Sequence, residues 1–165
     1  MTGAGAIDTR SVRHVRARDR RIVAIVVRSD FDEYDQFPPL QPGADLAART
    51  EKAQLTPDQW PLQVVLMRGH PDDGAAPHYH PLEQASPMPA RHQVLICHSG
   101  AARVGVFGVD GEPVEDVILR AGDMILLQEG HAVRYLEPKT RVVEIKQGPY
   151  PGTDEADRRP LRVAW

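Results

Sequence analysis

Short apolar runs alternate with turn residues over most of this chain. From residue 62 onward, each run is rich in Val, Ile and Leu, side chains that favour β-strands. Apolar runs of this length, bounded by turn signals, are typical of strands and too short for most helices. The predicted strands are residues 62–68, 93–97, 102–107, 114–119, 123–128, 132–137 and 141–147.

The segments between these runs carry turn signals. Asp110-Gly111 is typical of a tight hairpin, and Ser99-Gly100 and Ala121-Gly122 mark further turns. Short strands at near-regular spacing, joined by such turns, predict an all-β sandwich or barrel.

The first third of the chain is patterned differently. Residues 1–20 are rich in arginine and lack an apolar period, so we expect a flexible N-terminal arm. Residues 21–28 form a β-branched apolar run that predicts a buried strand. Residues 44–54 favour a short helix before Pro57.

Both faces of the predicted strand at residues 93–97 carry apolar groups. Leu95 and Cys97 share one face, and Val94 and Ile96 share the other. A strand that is apolar on both faces is covered on both sides, by the barrel interior and by a second sheet or a partner subunit. This pattern favours a homodimer.

Composition narrows the class of protein. A chain of 165 residues, of which 41% are hydrophobic, is long enough for one domain with its own core. The formal net charge of −3 gives no indication of binding to nucleic acid or to an acidic membrane. The single cysteine, Cys97, excludes an intrachain disulfide and a cysteine-based zinc site. Because the sequence has no apolar run of about 20 residues and no signal-peptide core, we expect a soluble cytoplasmic protein.

A pair of histidines indicates the chemistry. His78 and His80 lie two residues apart in the sequence PHYHP, so on a strand both imidazoles point to the same side. Further ligands have to come from other strands: His131 follows a glycine where a strand begins, and Gln93 opens the strand at residues 93–97. Three imidazoles with an amide or carboxylate oxygen suit one divalent transition metal, namely Fe, Zn, Ni, Mn or Cu.

These residues resemble a known family. The HYH pair, followed by Gly100 and by the segment GDMILLQEGH at residues 122–131, is similar to the two motifs of the cupin superfamily. The segment EIKQGPY at residues 144–150 is similar to the ending of a cupin subgroup in which a histidine directly follows a glycine. The resemblance extends over about residues 21–155.

The resemblance implies a fold, a metal site and a biological setting. The implied fold is the cupin double-stranded β-helix, a jelly-roll barrel over residues 21–155, between the arm at residues 1–20 and a C-terminal tail at residues 156–165. The subgroup tends to accompany sugar or lipopolysaccharide biosynthesis, so we expect a small-molecule substrate from sugar or specialised-metabolite biosynthesis. The implied metal ligands are His78, His80, Gln93 and His131.

The sequence departs from the family pattern at several positions. Gln93 replaces the usual glutamate ligand, and Gln128 replaces the usual proline. The usual histidine of the second motif falls at Val133, but positions 131 and 133 face the same way on a strand. Gln93 is therefore either a direct ligand or a hydrogen-bond partner that orients a bound water.

Nearby acids and the cysteine have alternative roles. Glu83, the carboxylate nearest the histidine pair, is a ligand, a general base or a solvated loop residue. Glu144 and Lys146 either face the barrel opening together, with Glu144 a candidate catalytic residue, or form a surface ion pair. Cys97 is expected to be a small buried hydrophobic side chain.

The sequence leaves two functions open. The first is a metal-dependent enzyme of dioxygenase, isomerase or lyase type that acts on a small polar metabolite. The second is a non-catalytic cupin that binds or senses a small molecule, which the loss of the usual glutamate favours.

Overall fold

The computed structural model describes residues 12–20, 22–27, 50–82 and 88–165, and the chain forms two compact units, residues 1–36 and residues 37–165. In the first unit, strand β1 (Val12–Arg16) pairs antiparallel with strand β2 (Ile22–Val27) in a two-stranded sheet. β2 is the strand predicted at residues 21–28, but its partner β1 lies in the segment for which we expected a flexible arm. The predicted barrel includes β2, whereas the structure has it in this separate sheet.

The second unit consists of two five-stranded antiparallel sheets, which confirms the predicted all-β class. The first sheet contains, in spatial order, β12 (Arg159–Pro160), β5 (Gly74–Tyr79), β10 (Gly130–Tyr135), β7 (Ala101–Phe107) and β8 (Pro113–Arg120). The second sheet contains β3 (Glu51–Gln54), β4 (Leu62–Gly69), β11 (Thr140–Gln147), β6 (Gln93–Ser99) and β9 (Met124–Leu127).

Strand β3 corrects the prediction of a short helix over residues 44–54. Residues 51–54 are extended and pair with β4, while residues 44–49 lie outside the described part of the chain. Along β3 the side chains alternate between buried and exposed, as a strand with one covered face requires. Glu51, on the buried face, pairs with Arg68 of β4.

The hydrophobic core is built from both sheets of the second unit. Leu95 and Val142 come from one sheet, and Val104 and Tyr135 come from the other. Cys97 belongs to the same cluster and is 0% exposed, which confirms the prediction of a buried hydrophobic side chain. Burial also raises the pKa of the Cys97 thiol, so the sulfur stays protonated and unreactive.

The two faces of β6 differ in burial. Leu95 and Cys97 are buried, whereas Val94 and Ile96 on the opposite face are half-buried. The outer face is therefore only partly covered within one chain. The homodimer that this pattern favours stays a prediction.

Gly100 makes the turn from β6 to β7 possible. Its backbone has a positive φ of 75°, which side chains other than glycine rarely tolerate. A Cβ at this position would also lie 2.3 Å from Oγ1 of Thr140. The glycine expected to end the first motif is thus required both by conformation and by space.

The C-terminal segment is held against the barrel. A short helix, α1 (Asp154–Asp157), begins at Thr153, whose hydroxyl accepts a hydrogen bond from the Ala156 amide. Strand β12 follows and pairs with β5. Further on, the Trp165 indole donates a 2.6 Å hydrogen bond to Asp116. Part of the predicted tail is therefore ordered structure that joins the sheet carrying the histidine pair.

Among the described residues, the structure contains no helix long and apolar enough to cross a membrane.

Candidate metal centre

Two neighbouring strands bring the predicted histidines together. His78 lies at the end of β5 and is the direct cross-strand partner of His131 on β10. His80 follows β5 immediately, on the same side as His78. The strands approach closely at Gly74, where a Cβ would lie 1.8 Å from the carbonyl oxygen of Val133. The register of this strand pair therefore places His78 directly opposite His131.

The three imidazoles converge on one point. One ring nitrogen from each histidine lies within 4.8 Å of the other two. The ring centroids of His78 and His131 are 4.4 Å apart, and those of His78 and His80 are 5.0 Å apart. All three residues are buried. Ring nitrogens bound to one ion at about 2.1 Å lie about 3.4–4.2 Å apart, so the three imidazoles lie close to the separation that one ion requires.

The surroundings keep the imidazoles of His78 and His131 neutral, as metal ligands must be. Burial, followed by the charge of His80, lowers the pKa of His78 to about 3. Burial and the neighbouring histidines also lower the pKa of His131 well below its usual value. At neutral pH both rings therefore offer a free lone pair.

Backbone carbonyls select the tautomer of the histidine pair. Nδ1 of His78 lies 2.7 Å from the carbonyl oxygen of Ala76, and Nδ1 of His80 lies 2.8 Å from the carbonyl oxygen of Asp157. A carbonyl oxygen can only accept, so in both rings Nδ1 carries the proton and donates it. In a neutral ring of this tautomer, Nε2 is the unprotonated nitrogen that is available to a metal.

Gln93 contacts the cluster from β6. Its amide nitrogen lies 2.5 Å from Nε2 of His131, and its carbonyl oxygen Oε1 is buried without a hydrogen-bond partner in the described part of the chain. A half-turn of the amide exchanges the two atoms and directs Oε1 toward the imidazoles. The orphaned oxygen thus fits a fourth ligand or an acceptor for a metal-bound water, and the residues present suit a divalent transition metal.

Asp157, which no pattern in the sequence singles out, contacts the ring nitrogen of His80 that points away from the cluster. Asp157, at the end of α1, is 1% exposed, and its Oδ2 lies 3.1 Å from Nδ1 of His80. The same oxygen accepts a 2.5 Å hydrogen bond from Lys146, and Arg91 lies 3.6 Å from Oδ1. Burial alone raises the pKa of Asp157, but the hydrogen bonds from His80 and Lys146 outweigh it and lower the pKa. Asp157 is therefore an ionised carboxylate beside an imidazole, the arrangement that orients many metal-ligating histidines.

A small cavity of about 40 Å³ lies against the histidine cluster. Glu144 lines it, 3.7 Å from the buried Lys146, so this pair faces the barrel opening rather than the outer surface. Val133 also lines the cavity, on the same side of β10 as His131. The remaining wall is mostly apolar. Its side chains include Met67, Ala75, Leu95 and Tyr135.

The sequence-predicted site residues thus fall into two groups. His78, His80, Gln93 and His131 come together, and Glu144 lines the same cavity. Glu83 lies outside the described residues, so its role as ligand or general base stays a prediction.

Comparisons with known proteins concern the fold. No protein-family model and no curated protein matches the chain. A variant of oxalate decarboxylase from B. subtilis is 18% identical with a TM-score of 0.52, over 68% of this chain and 28% of that chain. KdgF from Halomonas sp. is 19% identical with a TM-score of 0.52, over 75% of this chain and 94% of that chain. The coconut allergen cocosin is 20% identical with a TM-score of 0.50, over 69% of this chain and 28% of that chain.

These solved structures confirm the predicted jelly-roll architecture. This chain spans only about a quarter of the oxalate decarboxylase and cocosin chains, but nearly the whole of KdgF. A decarboxylase and a coconut allergen occur among proteins of this shape, so the chemistry has to be inferred from the site itself.

Proposed function

We propose that this chain, which has the cupin fold, is a metal-dependent enzyme that acts on a small polar metabolite. The observation that carries the proposal is the convergence of His78, His80 and His131, buried and facing a cavity. Sites with three protein ligands and open positions are typical of catalytic rather than structural metals.

Each residue of the site has a task in this proposal. His78, His80 and His131 hold the ion, with Gln93 as a fourth ligand or as the partner of a bound water. When bound, the ion supplies Lewis acidity to substrate oxygens or activates water or dioxygen. Glu144 faces the substrate across the cavity and is the candidate general base, while the apolar wall excludes water.

The reaction type follows from the same donor set. A neutral Gln93 in place of a carboxylate leaves a more electron-poor ion, which favours polarisation of a carbonyl. Dioxygenase, isomerase and lyase chemistry all use such a site. Within these we favour a step in sugar or specialised-metabolite biosynthesis, supported by the resemblance of the EIKQGPY segment alone.

A second candidate is a non-catalytic cupin that binds or senses a small molecule. The observation that favours it is Gln93 itself, because a neutral amide binds metal less strongly than glutamate. The two candidates differ first in metal content and then in turnover.

Metal analysis of the purified protein tests the proposal. We expect about one equivalent of a transition metal, lost in His80→Ala and retained in the control His98→Ala, because His98 lies on β6 outside the cluster. Less than about a tenth of an equivalent, before and after loading with metal, would refute the metal site. Turnover is then followed by NMR and oxygen uptake with a panel of sugar derivatives and small hydroxy acids. Binding without turnover, in a protein that holds its metal, supports the second candidate.

A further inference from the structure

The wall of the metal cavity carries more cations than carboxylates. Lys52 and Arg158, hereafter the cation pair, both line this cavity and also the adjoining polar cavity at its entrance. Glu144 is the one carboxylate that lines the metal cavity. The adjoining cavity is also lined by Lys146, Asp154 and Asp157, so its three cations and three carboxylates balance. Bound metal would add two further positive charges. A small molecule entering this space therefore meets a positive field.

Arg158 has hydrogen-bonding capacity that the protein does not use. Its Nε is buried, and within the described part of the chain it has no hydrogen-bond acceptor. Its guanidinium approaches Asp154 at 4.0 Å, which is beyond hydrogen-bond distance, and the Asp154 side chain is 68% exposed. In the neighbouring carboxylate of Asp157, Oδ2 is shared by His80 and Lys146, and Oδ1 lies 3.6 Å from Arg91. A buried donor without an acceptor is costly, so this position calls for an external acceptor.

The backbone holds Arg158 beside the metal ligands. Asp157 immediately before it contacts His80, and Arg159 immediately after it pairs with Tyr79 in the sheet. Arg158 also lines the same cavity as His78, His80 and His131. The guanidinium therefore belongs to the same site as the imidazoles.

We propose that the cation pair is an anion-binding subsite, and that the substrate is a small organic acid whose carboxylate or phosphate group is held by Arg158 while its other oxygens reach the metal. The planar fork of an arginine binds two oxygens of such a group at once, and Lys52 adds a point charge at the mouth. The apolar wall of Met67, Leu95 and Val133 faces the hydrocarbon part of the molecule. This inference rests on the proposed function, because the cavity is the same.

Calorimetric titration of the metal-loaded protein tests the subsite. The probes are malonate, inorganic phosphate and the neutral propane-1,3-diol, and the variants are Arg158→Met, Lys52→Met and, as a matched control, Arg159→Met. Arg159 is the next residue, and its guanidinium bonds to the backbone carbonyl of Arg158. We expect Arg158→Met to weaken malonate binding by about 10- to 100-fold and Lys52→Met to weaken it less, with metal content unchanged. The control should bind as the unchanged protein does.

The outcomes separate this inference from the proposed function. Equal malonate affinity in the unchanged protein and in Arg158→Met, or equal affinity for the diol, would overturn the subsite even if metal is bound. If the protein binds no metal, the proposed function fails, and the same titration on the metal-free protein still decides on the subsite. Tighter binding of malonate than of phosphate assigns a carboxylate, and the reverse order assigns a phosphate.

Discussion

The contact between Asp157 and His80 leads to a quantitative prediction for Asp157→Asn. The substitution preserves the shape of the side chain and removes its charge. His80 then donates to a neutral amide oxygen, and its Nε2 becomes a weaker base. We therefore expect weaker metal binding without loss of the cluster, because a carboxylate behind a ligating histidine increases the basicity of that ligand.

The magnitude follows from the two acceptors at Nδ1 of His80. Loss of a partner behind a metal ligand typically costs about 10- to 100-fold in metal affinity. Here the carbonyl oxygen of Asp157, at 2.8 Å, is closer than the carboxylate oxygen at 3.1 Å, and it is unaffected by the substitution. The tautomer is thus preserved, so we expect the lower end, about tenfold or about 1.4 kcal/mol.

The single variant Asp157→Asn also removes the charged partner of Lys146. Lys146 is buried, and its ammonium donates a 2.5 Å hydrogen bond to Asp157, so Asp157→Asn breaks a buried ion pair. Such a loss costs about 3–5 kcal/mol of stability, although Glu144 at 3.7 Å offers partial compensation. The comparison is therefore made in a Lys146→Met background, in which no ammonium is left unpaired.

The assay is a competition titration of metal against a chromophoric chelator at pH 7.5, with Lys146→Met and Lys146→Met/Asp157→Asn compared. Asp154→Asn, on the same short helix but exposed, is the control and should bind metal as the unchanged protein does. Equal dissociation constants in the two Lys146→Met proteins would refute the argument that Asp157 acts through His80. Thermal denaturation of the metal-free variants separates any loss of fold from loss of affinity.

Three further predictions concern titration, packing and assembly. The metal-free protein should lose stability as the pH falls from 6.5, the usual pKa of histidine, toward 3, because the unfolded chain binds protons that the buried His78 and His131 do not bind in the native state. Urea denaturation should show a loss of about 1.4 kcal/mol per pH unit for each of the two histidines. An unchanged dependence of stability on pH in His78→Gln would contradict this. Leu119→Ala in the core should cost about 2–5 kcal/mol in the same assay, whereas Leu126→Ala, which is 53% exposed, should cost about 0.5 kcal/mol or less. For the predicted homodimer, light scattering should give twice the chain mass, reduced to one chain mass by Ile96→Glu on the outer face of β6; a monomeric unchanged protein would contradict it.

Strand positions after residue 62 could be predicted because apolar runs and turn residues agree there. Strand β5 is an exception, although it carries the first histidine pair. Its sequence, GAAPHY, lacks the β-branched residues that mark the other strands, and it is extended because it pairs with β10 and β12. Strand β3 differs from the helix that its sequence predicts. Its Glu, Lys and Gln residues favour a helix locally, but pairing with β4 makes the segment extended.

The convergence of the three histidines could be predicted because His78 and His80 are two residues apart, a spacing that directs both side chains to one side, and because the segment at residues 122–131 resembles a known motif that ends in His131. Their role as metal ligands stays a prediction. Asp157 and Arg158 could not be predicted. They lie in the polar sequence TDEADRRP, which has no apolar period, and they reach the site only because α1 and β12 bring the chain back along β5. Contacts of this kind between distant parts of the chain leave no local pattern in the sequence.

The replacement of a carboxylate by Gln93 connects the metal to the cation pair. Three neutral imidazoles and an amide leave the full charge of a divalent ion uncompensated, beside Lys52 and Arg158. An anionic substrate would supply the missing negative charge. A unit charge about 4 Å away is worth on the order of 4 kcal/mol at an effective dielectric constant of about 20. Gln93→Glu should therefore tighten metal binding while weakening malonate binding to the metal-loaded protein by at least about tenfold. If malonate bound equally well to both proteins, the charge of the site would not be what selects its ligand.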